Sequence, residues 1–270
     1  MQIGLTSWSL RACSTVEAVG IARALGLQGL DLGYFYGPAL SKHEVLADPA
    51  GMGRRVADLG IAVPCFYHLF GETLAGRNLA DASALEQNRQ DFAKVAQFCT
   101  AARIPTVFVL PGVCNRGQGR AEALAQSSAS LRALLPIARD AGVTLTIEPH
   151  VHSFLESPAL TLELLERVPG LKLTLDYAHF VCLGYRQEEI DPLAPHAAHI
   201  HVRQARPGAL QTKLSQGTIN LPAMLGTLRA AGYAGWLALE WVHQDYMDTL
   251  YDDVLTETIA ARDVVRDWLS

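Results

Sequence analysis

The chain has no closely spaced cysteines: Cys13, Cys65, Cys99, Cys114 and Cys182 lie far apart, with no Cys-x-x-Cys among them. An odd, scattered set of this kind argues against a disulfide framework and fits reduced thiols in a cytosol. Basic residues are in the minority. The 22 Lys and Arg against 27 Asp and Glu leave a net charge of −5, which provides no footprint for a nucleic-acid backbone. No apolar run approaches the roughly 18 residues needed to span a bilayer. The first ten residues carry no basic region and no cleavage site, so no signal peptide is expected and the expected location is the cytoplasm. Charged residues make up only 18% of the 270, while 50% are hydrophobic. A chain of that make-up and length buries a large core, which excludes disorder. There is no repeat by identity, no low-complexity stretch and no linker-like run, so residues 1–270 are expected to form a single domain.

What is present is an alternation. Short apolar runs occur at Ile3–Trp8, Gly29–Leu32, Ile61–Phe66, Thr106–Leu110, Val143–Ile147, Leu171–Leu175, His199–Val202 and Trp236–Leu239. Their content of Val, Ile, Leu and aromatics suits strands buried on both faces. Between them lie stretches of helical period, for example Asp81–Ala102 and Met247–Leu269. The triplets Leu59-Gly60-Ile61, Ala141-Gly142-Val143 and Ala231-Gly232-Tyr233 each read as a helix ending on glycine before a strand begins. Pro136 falls inside a helical pattern, where a kink is expected. Eight strand-then-helix units of this size predict a (β/α)8 TIM barrel. An open doubly wound sheet is the alternative, but no Gly-x-Gly-x-x-Gly follows the first strand.

In such a barrel the chemistry sits where strands end. The fifth run leads to Glu148 and His150, the sixth to Asp176 and His179, the seventh contains His199, His201 and Arg203, and the eighth leads to Glu240 and His243. A lone acid at a strand end is ordinarily a helix cap, and a lone core histidine ordinarily a satisfied hydrogen-bonding group. Coincidence at four successive strand ends is harder to explain that way. Three carboxylates and an imidazole converging on one point repel one another unless a cation sits among them. Glu148, Asp176, His201 and Glu240 are therefore the expected ligands. A carboxylate-rich set with one nitrogen suits Mn²⁺, Mg²⁺ or Co²⁺ better than structural Zn²⁺. Strand alternation puts His199 on the same face as His201 but deeper, as a packing group or a further ligand. Arg203 shares that face at the rim, where it either holds a substrate oxygen or phosphate or pairs with a site carboxylate.

With these residues in view the chain resembles the xylose isomerase-like TIM-barrel superfamily, which includes sugar and sugar-phosphate isomerases, tagatose/psicose 3-epimerases, hydroxypyruvate isomerases, inosose dehydratases and endonuclease IV. The carriers are Gly142-Val-Thr-Leu-Thr-Ile-Glu148, Leu175-Asp176-Tyr-Ala-His179, His199-Ile-His201-Val-Arg203 and Gly232-Tyr-Ala-Gly235-Trp-Leu-Ala-Leu-Glu240. The resemblance implies one divalent ion, Mn²⁺ in the first place with Mg²⁺, Co²⁺ or Zn²⁺ as alternatives, held by Glu148, Asp176, His201 and Glu240. It also implies acid–base roles for Glu148 and Glu240 and a substrate contact from His179. A substrate-binding arginine beyond the seventh strand falls to Arg203 or Arg206, although neither spacing matches cleanly. Where the epimerase branch usually continues with Lys-Asp or Glu-Asn, this chain has Arg203-Gln204. The endonuclease branch does not fit: Leu110 stands where its fourth strand needs a histidine, and residues 204–220 contain neither Asp nor His.

The chemistry expected of such a site is proton abstraction beside a carbonyl, with a metal stabilising the enediolate. Return of the proton to the opposite face gives epimerisation, return to the neighbouring carbon isomerisation, and loss of a β-hydroxyl dehydration. The expected function is a metal-dependent sugar or sugar-phosphate isomerase or epimerase acting on a small carbohydrate. The alternatives are a dehydratase or lyase using the same enediolate, and a non-catalytic barrel that binds a sugar or keto acid. Further pocket candidates are His68 at the end of the third run, Trp8 after the first, His150, His152 and Lys213, with Tyr34, Phe35 and Tyr36 forming a lid or a subunit contact. A homodimer or homotetramer is a family expectation only.

Overall fold

The computed structural model describes residues 1–34, 40–243 and 253–270. Eight parallel strands close into a barrel: β1 (Gln2–Thr6), β2 (Gly29–Gly33), β3 (Cys65–Tyr67), β4 (Thr106–Val109), β5 (Thr144–Ile147), β6 (Lys172–Asp176), β7 (Ala197–Val202) and β8 (Trp236–Leu239). Closure is made by β1 against β8, in the register Gln2 to Trp236 through Leu5 to Leu239. Helices wrap the outside, among them Thr15–Ala24, Leu85–Ala102, Arg120–Asp140, Pro158–Arg167, Leu221–Ala230 and Val254–Leu269. Gly60, Gly142 and Gly232 all adopt positive φ, between 70° and 80°, where a helix gives way to the approach of the next strand. The helix Arg120–Asp140 continues as one element across Pro136. No helix among the described residues is long and apolar enough to cross a membrane. Phe35, Tyr36 and the Met247–Tyr251 part of the last amphipathic pattern lie outside the described residues.

Alternation divides each strand between two environments. Leu5, Leu30, Leu32, Phe66, Val107, Val109, Ile147, Leu173, Leu175, Ile200, Leu237 and Leu239 are buried in the apolar layer between barrel and helices. The opposite parity faces the lumen, and it is polar to an unusual degree. Thr146 and Thr174 share a hydrogen bond of 2.8 Å, and Asp31 reaches His199 at 2.6 Å. At the floor the Trp236 ring lies so close to Gly29 that a Cβ there would stand 2.6 Å from it, so β2 enters the barrel on glycine.

Two local details set which side chains reach the mouth. The third strand begins only at Cys65, because Pro64 has no N–H to give to a ladder. Between β6 and β7 the register shifts by one residue: Leu173 faces Ala197, but Thr174 faces His199 and Asp176 faces His201. This bulge brings both histidines into phase with the lumen-facing side chains of β6.

Candidate active site

The mouth of the barrel has a polar half and an aromatic half. From β5 to β8 come Glu148, Asp176, His201, Arg203 and Glu240, each no more than 8% exposed. From β1, β3 and β4 come Trp8, Tyr67, Phe108 and Leu110. Tyr67 stacks on Phe108 at 4.3 Å between ring centroids, and Trp8 meets Tyr67 edge-on at 5.9 Å. The two halves touch at His201, whose ring is 5.7 Å from Trp8 and 5.3 Å from Phe108.

His201 is the centre of the polar half. Its Nδ1 lies 2.7 Å from Glu148 Oε1 and 3.2 Å from Glu240 Oε2. Trp8 fixes the other oxygen of Glu240 by donating its Nε1–H to Oε1 at 2.7 Å. Beneath the ring, His201 Nε2 is 3.6 Å from Asp31 Oδ2, the same oxygen that is bonded to His199. Asp31 was not singled out from the sequence. Its signal is an ionisable residue in the middle of the apolar strand Gly29-Leu30-Asp31-Leu32, a position that burial makes costly unless the charge is partnered. His199 is thus the deeper group expected, held by Asp31.

Asp176 stands beside this group but is otherwise engaged. Its Oδ1 accepts from the Ala178 N–H at 2.8 Å, and its Oδ2 accepts from Arg203 Nε at 2.8 Å and Nη2 at 2.6 Å. Arg203 Nη2 also lies 3.0 Å from His179 Nε2 and 3.9 Å from Glu240 Oε2. Of the alternatives open to Arg203, the structure shows the pairing with a site carboxylate. His179 is buried here as well, with the His150 ring 4.1 Å from its own. His152 is exposed in the same loop at φ 64°.

The electrostatics follow from burial of so many charges. Burial pushes the Glu148 carboxyl up to about 7 against the opposing pull of His201. Burial would also raise Glu240, but Arg203 and His201 outweigh it and hold that carboxyl below its usual value. Burial works to neutralise His201, yet Glu240 and Glu148 raise it well above the ordinary histidine range. Arg203 is likewise held charged by Asp176 and Glu240 in spite of its burial.

Several expected residues are not brought to this cluster. Because Cys65 and Tyr67 face the lumen, His68 faces outward, with its ring 4.5 Å from Phe70 and 6.4 Å from Phe92 of the outer helix. Its Nδ1 meets the Tyr34 hydroxyl at 3.3 Å. His68, expected as a pocket candidate at the strand end, is therefore a buried histidine of the outer layer, on the same face as Phe66. Arg206 and Lys213 are exposed on the loop after β7. Gln204 is a loop clamp: its amide donates to Ile219 O at 2.6 Å and accepts from Ile219 N at 3.1 Å. Tyr34 lies with His68 on the outer side.

A divalent ion fits part of the expected ligand set. Atoms of Glu148, His201 and Glu240 lie within 4.8 Å of one another, and Glu240 Oε2 is buried without a hydrogen-bond partner. Buried carboxylate oxygens left unsatisfied in this way are costly unless a cation completes them. Asp176 does not join that group of three.

A sequence profile of the xylose isomerase-like TIM barrel matches residues 19–266. No functionally curated protein matches the chain in sequence. Among solved structures, a 3-keto-D-glucoside 4-epimerase from E. coli superposes with a TM-score of 0.75 at 12% identity, covering 99% of both chains. The IolI protein with a bound zinc atom gives 0.76 at 16% identity, over 100% of this chain and 98% of that one. A probable 3-DHS dehydratase of petrobactin synthesis from Bacillus anthracis gives 0.72 at 16%, over 98% and 99%. At these identities the likeness is one of fold.

Proposed function

Because the chain belongs to the xylose isomerase-like TIM-barrel family, we propose that it is a divalent-metal-dependent isomerase or epimerase of a small sugar, sugar phosphate or related hydroxy-carbonyl compound. The observation that carries this reading is the pairing of Glu148 and Glu240 on either side of His201, facing an aromatic wall. A binding barrel has no need of two buried carboxylates brought from strands on different sides of one imidazole. Glu148, His201 and Glu240 would hold the ion, which supplies Lewis-acid stabilisation of negative charge on the substrate's carbonyl oxygen. Mn²⁺ is the ion proposed first, for a donor set of two carboxylates and one nitrogen.

The protein's own groups supply the rest. One of the two carboxylates removes the proton next to the carbonyl and the other returns one, each acting through an oxygen at its strand end. Trp8 keeps Glu240 in a single orientation through the bond to Oε1, leaving Oε2 for the reaction centre. Trp8, Tyr67 and Phe108 offer an apolar surface to the C–H face of a sugar and exclude water from the carbon that loses its proton. In this reading His179, whose Nε2 lies 3.0 Å from Arg203 Nη2, contacts a substrate hydroxyl. A dehydratase using the same proton abstraction is the second reading, favoured by the likeness of fold to the Bacillus anthracis protein.

The test is solvent exchange. Protein loaded with Mn²⁺ and incubated in D₂O with a panel of ketoses, ketose phosphates and keto acids is expected to place deuterium at the carbon beside the carbonyl, read by NMR. Glu148→Gln and Glu240→Gln are each expected to slow exchange by about 10²–10⁴-fold. No exchange on any member of the panel, with Mn²⁺, Co²⁺, Mg²⁺ or Zn²⁺ bound, would refute the reading.

A further inference from the structure

The polar half of the mouth already contains a fixed cation. Arg203 is 4% exposed, on β7's lumen side two residues beyond His201. Both its Nε and Nη2 are spent on a single oxygen of Asp176, at 2.8 and 2.6 Å, while the other oxygen of Asp176 is taken by the Ala178 N–H. No oxygen of Asp176 is orphaned, in contrast to Glu240 Oε2. Among the described residues three groups of side chains have ligand atoms within 4.8 Å of one another, Asp31–His199–His201, Glu148–His150–His179 and Glu148–His201–Glu240, and Asp176 belongs to none of them. A buried carboxylate paired with a guanidinium and capped by a backbone N–H has its charge already compensated. Moving Asp176 to another cation would leave the Arg203 charge buried and unpaired.

We propose that Arg203 is the resident counter-ion of Asp176, which removes Asp176 from the ligand set, so that this chain binds a divalent ion through Glu148, His201 and Glu240 alone. The inference rests on the metal reading of the site given above. It identifies Arg203 as the residue that sets the ligand number and weakens the ion's hold, since a fixed positive charge 3.9 Å from Glu240 Oε2 opposes a second cation there.

The experiment measures Mn²⁺ affinity of the metal-stripped protein by EPR of the free ion. In the double variant Asp176→Asn/Arg203→Gln the pair is replaced by neutral groups of similar shape, and Kd is expected to stay within about 3-fold of wild type, whereas loss of a true carboxylate ligand costs about 10-fold or more. Arg203→Gln alone frees the Asp176 carboxylate and is expected to tighten Mn²⁺ binding by about 10-fold or more. A double variant weakened about 10-fold or more overturns the proposal, as does an Arg203→Gln variant no tighter than wild type. Should the double variant fail to fold, wild type labelled with ¹³C at its aspartate carboxylates decides the matter. Loaded with Mn²⁺, it is expected to show no ¹³C coupling of a directly bound carboxylate, and a coupling that vanishes in Asp176→Asn overturns the proposal. Failure of the metal reading is distinguishable: it appears as no Mn²⁺ binding by wild type or any variant, and it takes the proposal with it. Binding by Arg203→Gln but not by wild type would also overturn the proposal, since three ligands would then not suffice to bind the ion.

Discussion

His68 offers a direct check on which way the third strand faces. It is fully buried against Phe70 and Phe92, its Nε2 has no hydrogen-bond partner, and burial together with nearby Lys42 and Arg77 lowers its pKa from 6.5 to about 3. The folded protein therefore keeps the imidazole neutral while the unfolded chain protonates it below 6.5, so the unfolded state binds the extra proton and stability falls with acidification. His68's contribution is fully present above pH 6.5 and is lost progressively as pH falls toward 3. At about 1.4 kcal/mol per pH unit, His68 alone accounts for roughly 2 kcal/mol of lost stability by pH 5. Urea denaturation of wild type and His68→Gln at pH 7.5 and 5.0 isolates this part, because all other titrating groups are common to both proteins. The variant is expected to lose about 2 kcal/mol less than wild type over that interval. Equal losses would refute the reasoning and indicate a solvated imidazole at the rim.

Two further perturbations probe the supports of the reaction centre. Trp8→Phe retains a ring against Tyr67 and Phe108 but removes the 2.7 Å bond to Glu240 Oε1. A buried hydrogen bond to a charged group is worth about 1.5–3 kcal/mol, so a double-mutant cycle with Glu240→Leu, which removes the acceptor, is expected to return a coupling of about 2 kcal/mol in chemical denaturation, and a coupling below about 0.5 would show that Trp8 only packs. Asp31→Ala leaves His199 buried without the partner it meets at 2.6 Å; a loss of about 3 kcal/mol in urea denaturation is expected, and a change within about 0.5 would mean that the pair is not formed.

The sequence made the barrel and the residue types at its mouth legible because both are written in local periods. Apolar runs punctuated by Gly60, Gly142 and Gly232 mark strand entries, and the acid at the end of each of β5, β6 and β8 is visible where its apolar run stops. What was not legible depends on one-residue shifts between strands. His68 stands at the end of the third run but shares the outward face of Phe66, which its position in the sequence does not announce. The bulge between β6 and β7 sets His201 level with Asp176, and no pattern within either strand announces it. The partners of Asp31 and Arg203 are not legible for a related reason: each acquires its role from a side chain on another strand, His199 across the barrel for one and Asp176 on the adjacent β6 for the other. The ligand set behaves in the same way. Four strand ends nominate four ligands, but whether a carboxylate is free to bind a cation depends on what already neutralises it. In this barrel that depends on an arginine two residues past the histidine, at a position where the resemblance alone left its role open.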